Sequence, residues 1–248
     1  DNMNAFFRTN FDDEVFSQED YPADKVVNSF GVQDDFLYDY AIPVLNQRAA
    51  TGQPFFATLL SISNHPPYVI PPFFHPKTSE PETQIVEYAD WALRQFFEEA
   101  RKQPWFDNTI FVLEGDHGKL VGDAECELPE SYNHIPLMIY SSRIQPEEKT
   151  TFGGQVDIQP TILGLLNIDY LQNNFGVDLL KEERPCMFYT ADNMVVGRND
   201  TLLYLYNYET QQELTYDIGN GKFIHIRENI GVCIDHIESP AWRKVIVG

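Results

Sequence analysis

Basic residues are scarce in this sequence: 17 lysines and arginines stand against 38 aspartates and glutamates, a formal net charge of -21. Such a surface repels phosphate backbones and anionic lipid headgroups within a Debye length, which argues against a nucleic-acid partner and against peripheral electrostatic docking on a membrane. Cysteine is scarcer still. Cys126, Cys186 and Cys233 are odd in number, widely separated and without CxxC or CxxH spacing, so neither a disulfide framework nor a zinc ribbon is encoded. They leave the redox compartment open. No run approaches the roughly 20 uninterrupted apolar residues of a membrane-spanning helix, and Asp1 to Asn4 do not form a signal peptide. Repeats and low-complexity tracts are missing as well. What remains is 248 residues, 43% apolar and 14% aromatic, enough for one sizeable, soluble α/β domain that needs no staples.

The clearest periodicity runs from Glu82 to Gln103, where Ile85, Tyr88, Ala89, Ala92, Leu93, Phe96 and Ala100 recur at the spacing of one buried helical stripe. Ser79 and Glu82 have the form of a capping box, and Pro104 stops the helix near Gln103. Two apolar runs flank it, Phe55 to Ile62 and Thr109 to Leu113, of strand length and without alternation, which predicts buried parallel strands. Ile135 to Tyr140 predicts a further strand. Asp157 can cap a short helix through Leu166 with Pro160 in its first turn, and Asp34 to Gln47 reads as a helix kinked at Pro43. This order predicts an α/β fold with a doubly wound, mostly parallel sheet, whose strand ends collect the chemistry. After Leu180 the texture changes to short β-rich pieces, Met187–Tyr189, Met194–Val196, Leu202–Tyr208 and Phe223–Ile226, a small antiparallel annex. The expected division is 1–180 for the α/β part and 181–248 for the annex and tail.

Three places at strand ends carry groups suited to chemistry. Glu114-Gly115-Asp116-His117-Gly118 follows the strand from Thr109, and flanking glycines let a hard carboxylate and an imidazole approach one divalent ion. The residues alone also allow a solvated turn without an ion, since Asp235-His236 repeats the dipeptide in a tail with no strand–loop context. Ser63-Asn64-His65-Pro66-Pro67 ends the other apolar run, where His65 either donates to a phosphate or sulfate oxygen or is fixed by its own backbone. Tyr132-Asn133-His134-Ile135-Pro136 enters the next strand, and His134 stands open between a substrate contact and a supporting one.

Taken in order, Ser-Asn-His-Pro-Pro at 63–67, Phe106-Asp107-Asn108-Thr109 leading into Gly115-Asp116-His117-Gly118, His134 to Tyr140, Gly153-Gly154-Gln155-Val156-Asp157-Ile158-Gln159-Pro160-Thr161 and Phe175 to Leu180 form a set. With these motifs the chain resembles the sulfatase division of the alkaline phosphatase superfamily, closest to the lipoteichoic acid synthase and phosphoglycerol transferase type. The resemblance covers roughly residues 1 to 217.

The resemblance implies that Asp116 and His117 ligate a divalent ion, manganese first, with magnesium, calcium or zinc as alternatives. It implies that His65 contacts the phosphate or glycerol end of the substrate. Phe6-Phe7-Arg8 is similar to an aromatic-x-Arg substrate motif, which makes Arg8 a candidate for phosphate recognition through its fork of donors, and His134 lies where many relatives carry a histidine. The implied activity is transfer of a phosphoglycerol or similar head group from a phospholipid, with hydrolysis of a sulfate or phosphate ester as the alternative. A non-catalytic binding or scaffold domain is the rival from another class.

The family's nucleophile, a threonine, has no counterpart in the sequence, nor does any of the three cysteines sit in the Cys-x-Pro-x-Arg context of a matured sulfatase. The chain therefore reads as the carboxyl-terminal part of a catalytic domain, incomplete on its amino-terminal side. The rest would supply the nucleophile, another acidic ligand, the first strands and membrane helices. The expected location is the extracytoplasmic side of a membrane-anchored bacterial protein. The expected behaviour of these 248 residues alone is weak metal binding, no turnover, and dimerisation or rearrangement to cover the open sheet edge.

Overall fold

A computed structural model describes residues 3–10, 14–120 and 122–226. Cys233, the Asp235-His236 pair and the tail from 227 lie outside the described residues. The chain gathers into two compact units, one of Asp1–Phe111 with Ile139–Ile144, the other of Val112–Met138 with the residues from Gln145 onward.

The first unit holds helix α1 (Met3–Asn10), the antiparallel strands β1 (Val26–Asn28) and β2 (Gly31–Val32), and helices α2 (Asp34–Ala50) and α3 (Pro81–Ala100). On α3 the predicted stripe is the one that is buried: Ile85, Tyr88, Ala92, Phe96 and Ala100. Its amino end differs from the expected capping box. Pro81 opens the helix, Ser79 Oγ bonds Glu80, and the Glu80 carbonyl takes the amides of Thr83 and Gln84. Proline suits a first turn because its missing N–H would have had no helical partner there. The carboxyl end comes at Ala100, with a turn closing Gln103 onto the Ala100 carbonyl ahead of Pro104.

Helix α2 continues through exposed Pro43 to Ala50, three residues beyond the expected end. Its buried Ala41 and Leu45 meet Phe96, Ala100, Trp105 and Phe106 in an aromatic core on which Phe111 also packs. Trp105 keeps its indole N–H satisfied on Asn46 Oδ1 at 2.6 Å. No strand forms over Phe55–Ile62, although the sequence predicts one there. A strand needs a neighbour to take its backbone hydrogen bonds, and Phe55, Phe56 and Leu60 instead lie exposed.

Strands β3 (Phe111–Glu114) and β4 (Leu137–Tyr140) pair with each other, each starting two residues later than the sequence predicts. Helix α4 (Gln155–Leu165) is capped by Gly154, so Asp157 is the third helical residue and not the cap. Its Oδ2 accepts the Gly154 amide at 2.9 Å. Pro160 is buried inside the helix, not in its first turn. Lacking an N–H, it leaves the Val156 carbonyl unused by the helix, and Gly176 packs where any Cβ would strike that oxygen.

The annex is a five-stranded antiparallel meander, β5 (Met187–Ala191), β6 (Met194–Arg198), β7 (Leu202–Asn207), β8 (Gln212–Asp217) and β9 (Ile224–Ile226), in chain order. Asp192 and Asn193, with φ of 48° and 62°, make the two-residue turn between β5 and β6. Cross-strand partners Val196–Leu205 and Leu203–Tyr216 form its core with Leu128 and Ile218.

Candidate functional site

The Asp-His turn leaves the carboxyl end of β3, and three contacts fix its path. The Gly115 amide donates to the Pro136 carbonyl at 3.4 Å, the Gly118 amide donates to the Tyr132 carbonyl at 2.8 Å, and Gln155 Nε2 donates to the Asp116 carbonyl at 2.8 Å. Glycine is required at 118, because a Cβ there would collide with the Ser131 carbonyl oxygen.

Within this frame the Asp116 and His117 side chains are exposed and close together, with Oδ2 and Nε2 3.7 Å apart. Nδ1 of His117 lies 2.7 Å from the Gly118 carbonyl, which can only accept. The neutral ring therefore carries its proton on Nδ1 and keeps the Nε2 lone pair free. Carboxylate oxygen and imidazole nitrogen bind divalent first-row ions at about 2.0–2.2 Å, so these two atoms stand near the spacing at which one ion touches both. The donor set fits such an ion but does not complete it: among the described residues no group of three or more His, Cys, Asp or Glu side chains gathers to hold a metal. Glu114, at the end of β3, has its carboxyl pushed upward by burial and by the charge of Asp116.

The contacts through Tyr132 and Pro136 bring the segment carrying His134 alongside the Asp-His turn. His134 itself is exposed and its amide is anchored on the Glu130 carbonyl at 2.8 Å, while Glu130 pairs with Arg198.

His65 and Arg8 belong to the first unit. His65 is exposed, its Nδ1 donates to the Pro66 carbonyl at 2.7 Å, and its ring lies against Phe30 with centroids 3.9 Å apart. As in His117, the neutral ring carries its proton on Nδ1 and leaves a lone pair on Nε2. Arg8 lies on α1 and bonds Asn4 Oδ1 at 2.7 Å and the Val15 carbonyl at 2.8 Å, with Asp20 at 3.6 Å. Those contacts hold Arg8 within its own segment.

Two supporting groups were not legible as such. Gln155 lies inside a quoted motif, yet only the fold shows that its amide reaches the Asp116 backbone. Arg184, directly after Glu182 and Glu183, forks onto the fully buried Asp157 at 2.5–3.0 Å and also bonds the Phe175 carbonyl.

The sequence profile of the sulfatase family matches residues 1–168. The chain is similar to lipoteichoic acid synthase 1 of Bacillus subtilis (strain 168), 26% identical over 238 residues, which cover 87% of this chain and 36% of the relative. A solved protein of the alkaline phosphatase superfamily from Vibrio parahaemolyticus superposes with a TM-score of 0.74 at 26% identity, over 86% of this chain and 53% of that one. The lipoteichoic acid synthase LtaP from Listeria monocytogenes superposes with a TM-score of 0.68 at 22% identity, over 86% of this chain and 57% of that one. The fold is that of the alkaline phosphatase superfamily, represented in part: the chain spans 36% of the Bacillus relative's length.

Proposed function

The chain belongs to the sulfatase family, and from that premise we propose that it is part of a metal-dependent enzyme that moves a phosphoglycerol or similar head group from a phospholipid. The coarse class, phosphoryl or sulfuryl transfer, follows from the family and from the lipoteichoic acid synthase relatives. The finer reading is supported by one observation above the rest: a carboxylate and an imidazole with a free Nε2, 3.7 Å apart, on a glycine turn at a strand's carboxyl end.

Asp116 and His117 would hold the divalent ion, manganese in the first instance. When bound, the ion neutralises phosphoryl oxygens and lowers the pKa of an attacking hydroxyl. Gly118, Gln155 and the Tyr132 carbonyl keep the two ligands in place. His65 would meet the substrate's phosphate or glycerol end through Nε2, accepting a hydroxyl proton when neutral or donating to a phosphoryl oxygen when protonated. Arg8 would offer guanidinium donors to phosphate after leaving Asp20. His134 would act beside the Asp-His turn. The nucleophilic threonine and the remaining ligand would come from sequence outside these 248 residues, in a protein anchored in a bacterial membrane with this part on the extracytoplasmic side. No helix of the described residues is long and apolar enough to cross a membrane.

The test is to supply the full-length protein with manganese and phosphatidylglycerol vesicles and to measure diacylglycerol release. Release is the expected result. Absence of release together with efficient cleavage of a sulfate ester would replace the transferase by a sulfatase, and absence of both would favour a scaffold.

A further inference from the structure

Buried polar groups at the start of α2 bond the loop that carries His65. Gln33 and Asp34, where α2 begins, are 8% and 2% exposed, and Ser63 is 4% exposed. Asp34 Oδ1 accepts the backbone amides of Ile62 and Ser63 at 3.1 and 3.0 Å. In return Ser63 Oγ accepts the Asp34 amide at 3.0 Å and donates to Gln33 Oε1 at 2.7 Å. The other end of Gln33 is used as well: its Nε2 donates to the Val69 carbonyl at 2.7 Å.

Two consecutive residues therefore grip both ends of the loop from Ile62 to Val69, and His65 lies inside that span. Its amide closes a turn on the Ile62 carbonyl at 3.0 Å, one residue from the gripped Ser63. A carboxylate is costly to bury, and burial pushes the Asp34 carboxyl upward despite the hydrogen bonds it accepts from Ile62 and Ser63. A loop held only for packing would be served by an apolar contact, whereas one carboxylate oxygen accepting two adjacent amides fixes backbone direction.

We propose that Gln33 and Asp34 are positioning residues for His65, setting the direction in which its Nε2 meets a substrate oxygen. The role rests on the assignment of His65 to the substrate. Neither residue is exposed to substrate, so each acts through the loop. Ser63 is the relay, since its backbone and hydroxyl carry three of the five bonds.

The experiment uses the full-length protein and the activity its wild type displays, phosphatidylglycerol cleavage or sulfate-ester hydrolysis. It compares His65→Ala with Asp34→Ala, Asp34→Asn and Ser63→Ala, each of the latter three alone and combined with His65→Ala. Ser63→Ala removes only a hydroxyl and keeps the test open if Asp34→Ala does not fold. Hydrogen exchange of the peptide spanning residues 62–69 is followed alongside. Asp34→Ala and Ser63→Ala are expected to speed that exchange and to lower kcat/KM by about 10- to 100-fold. Asp34→Asn, which keeps an acceptor oxygen, should recover most of the loss. In the His65→Ala background the same changes should cost under about twofold, because residues acting through one group are not additive. Full multiplicative losses in that background, or unchanged exchange, would overturn the role. If His65→Ala alone leaves activity intact, or the wild type turns over neither substrate, the functional reading fails and the role with it. Faster exchange in Asp34→Ala would then still report the grip.

Discussion

Gln155 Nε2 reaches the main-chain oxygen of Asp116 at 2.8 Å, so the first residue of α4 holds the turn that carries the Asp-His pair. A second, longer bond to the Gly115 carbonyl at 3.3 Å strengthens the hold. Because the bonds go to backbone oxygens, they orient the turn without occupying either candidate ligand atom.

Removing that amide should loosen the turn while sparing the fold, since Gln155 is exposed. Gln155→Ala is expected to weaken manganese binding by about 10- to 100-fold, the usual cost of losing a group that orients a metal ligand. Isothermal calorimetry on the full-length protein measures it. Unchanged affinity with unchanged stability would show that the turn holds itself.

The Asp157–Arg184 pair is structural. Asp157 is fully buried, the Arg184 side chain is 10% exposed, and their oxygens and nitrogens meet at 2.5–3.0 Å. Arg184→Ala leaves a buried carboxylate with only the amides of Gly154 and Val177. The expected loss is about 3–5 kcal/mol, read by chemical denaturation; a loss within about 0.5 kcal/mol, the range of surface substitutions, would contradict it.

Asp34 sets a pH dependence whose sign follows from its burial. Desolvation raises its folded-state carboxyl above the ordinary value of 3.8, so the folded protein takes up its proton before the unfolded chain does. This group therefore stabilises the fold increasingly as pH falls from above the raised value toward 3.8, and that contribution is lost as pH rises through the raised value. Denaturation of the wild type and Asp34→Asn across this window should show the difference moving in the wild type's favour at lower pH. A flat difference, or the opposite slope, would contradict it.

The sequence carries its information unevenly. The helical stripe of α3 was legible because it buries residues at its own period, and the strands around Phe111 and Leu137 were legible as apolar runs of strand length, although neither strand is fully buried. Strand β8 escaped notice because Gln212 and Glu213 face solvent and only Thr215 and Tyr216 are buried, too short an apolar signal. The strand expected over Phe55–Ile62 misled in the other direction: its apolar composition is real, but a strand is made by a neighbour, and composition does not report one. At the site, residue types and glycine spacing singled out Asp116 and His117 as candidates. Their supports did not show, because Gln155 lies 39 residues from Asp116, and Gln33 and Asp34 lie about 30 from Ser63. Contacts at that separation are set by topology, which spacing along the chain does not encode.

The central claim is that Asp116 and His117 share a divalent cation, and calorimetric titration of the full-length protein with manganese tests it most directly. Asp116→Ala and His117→Ala should each weaken binding by more than the roughly 10- to 100-fold cost of losing an orienting contact, with folding intact because both side chains are exposed. Two variants that bind manganese as tightly as the wild type would contradict the account.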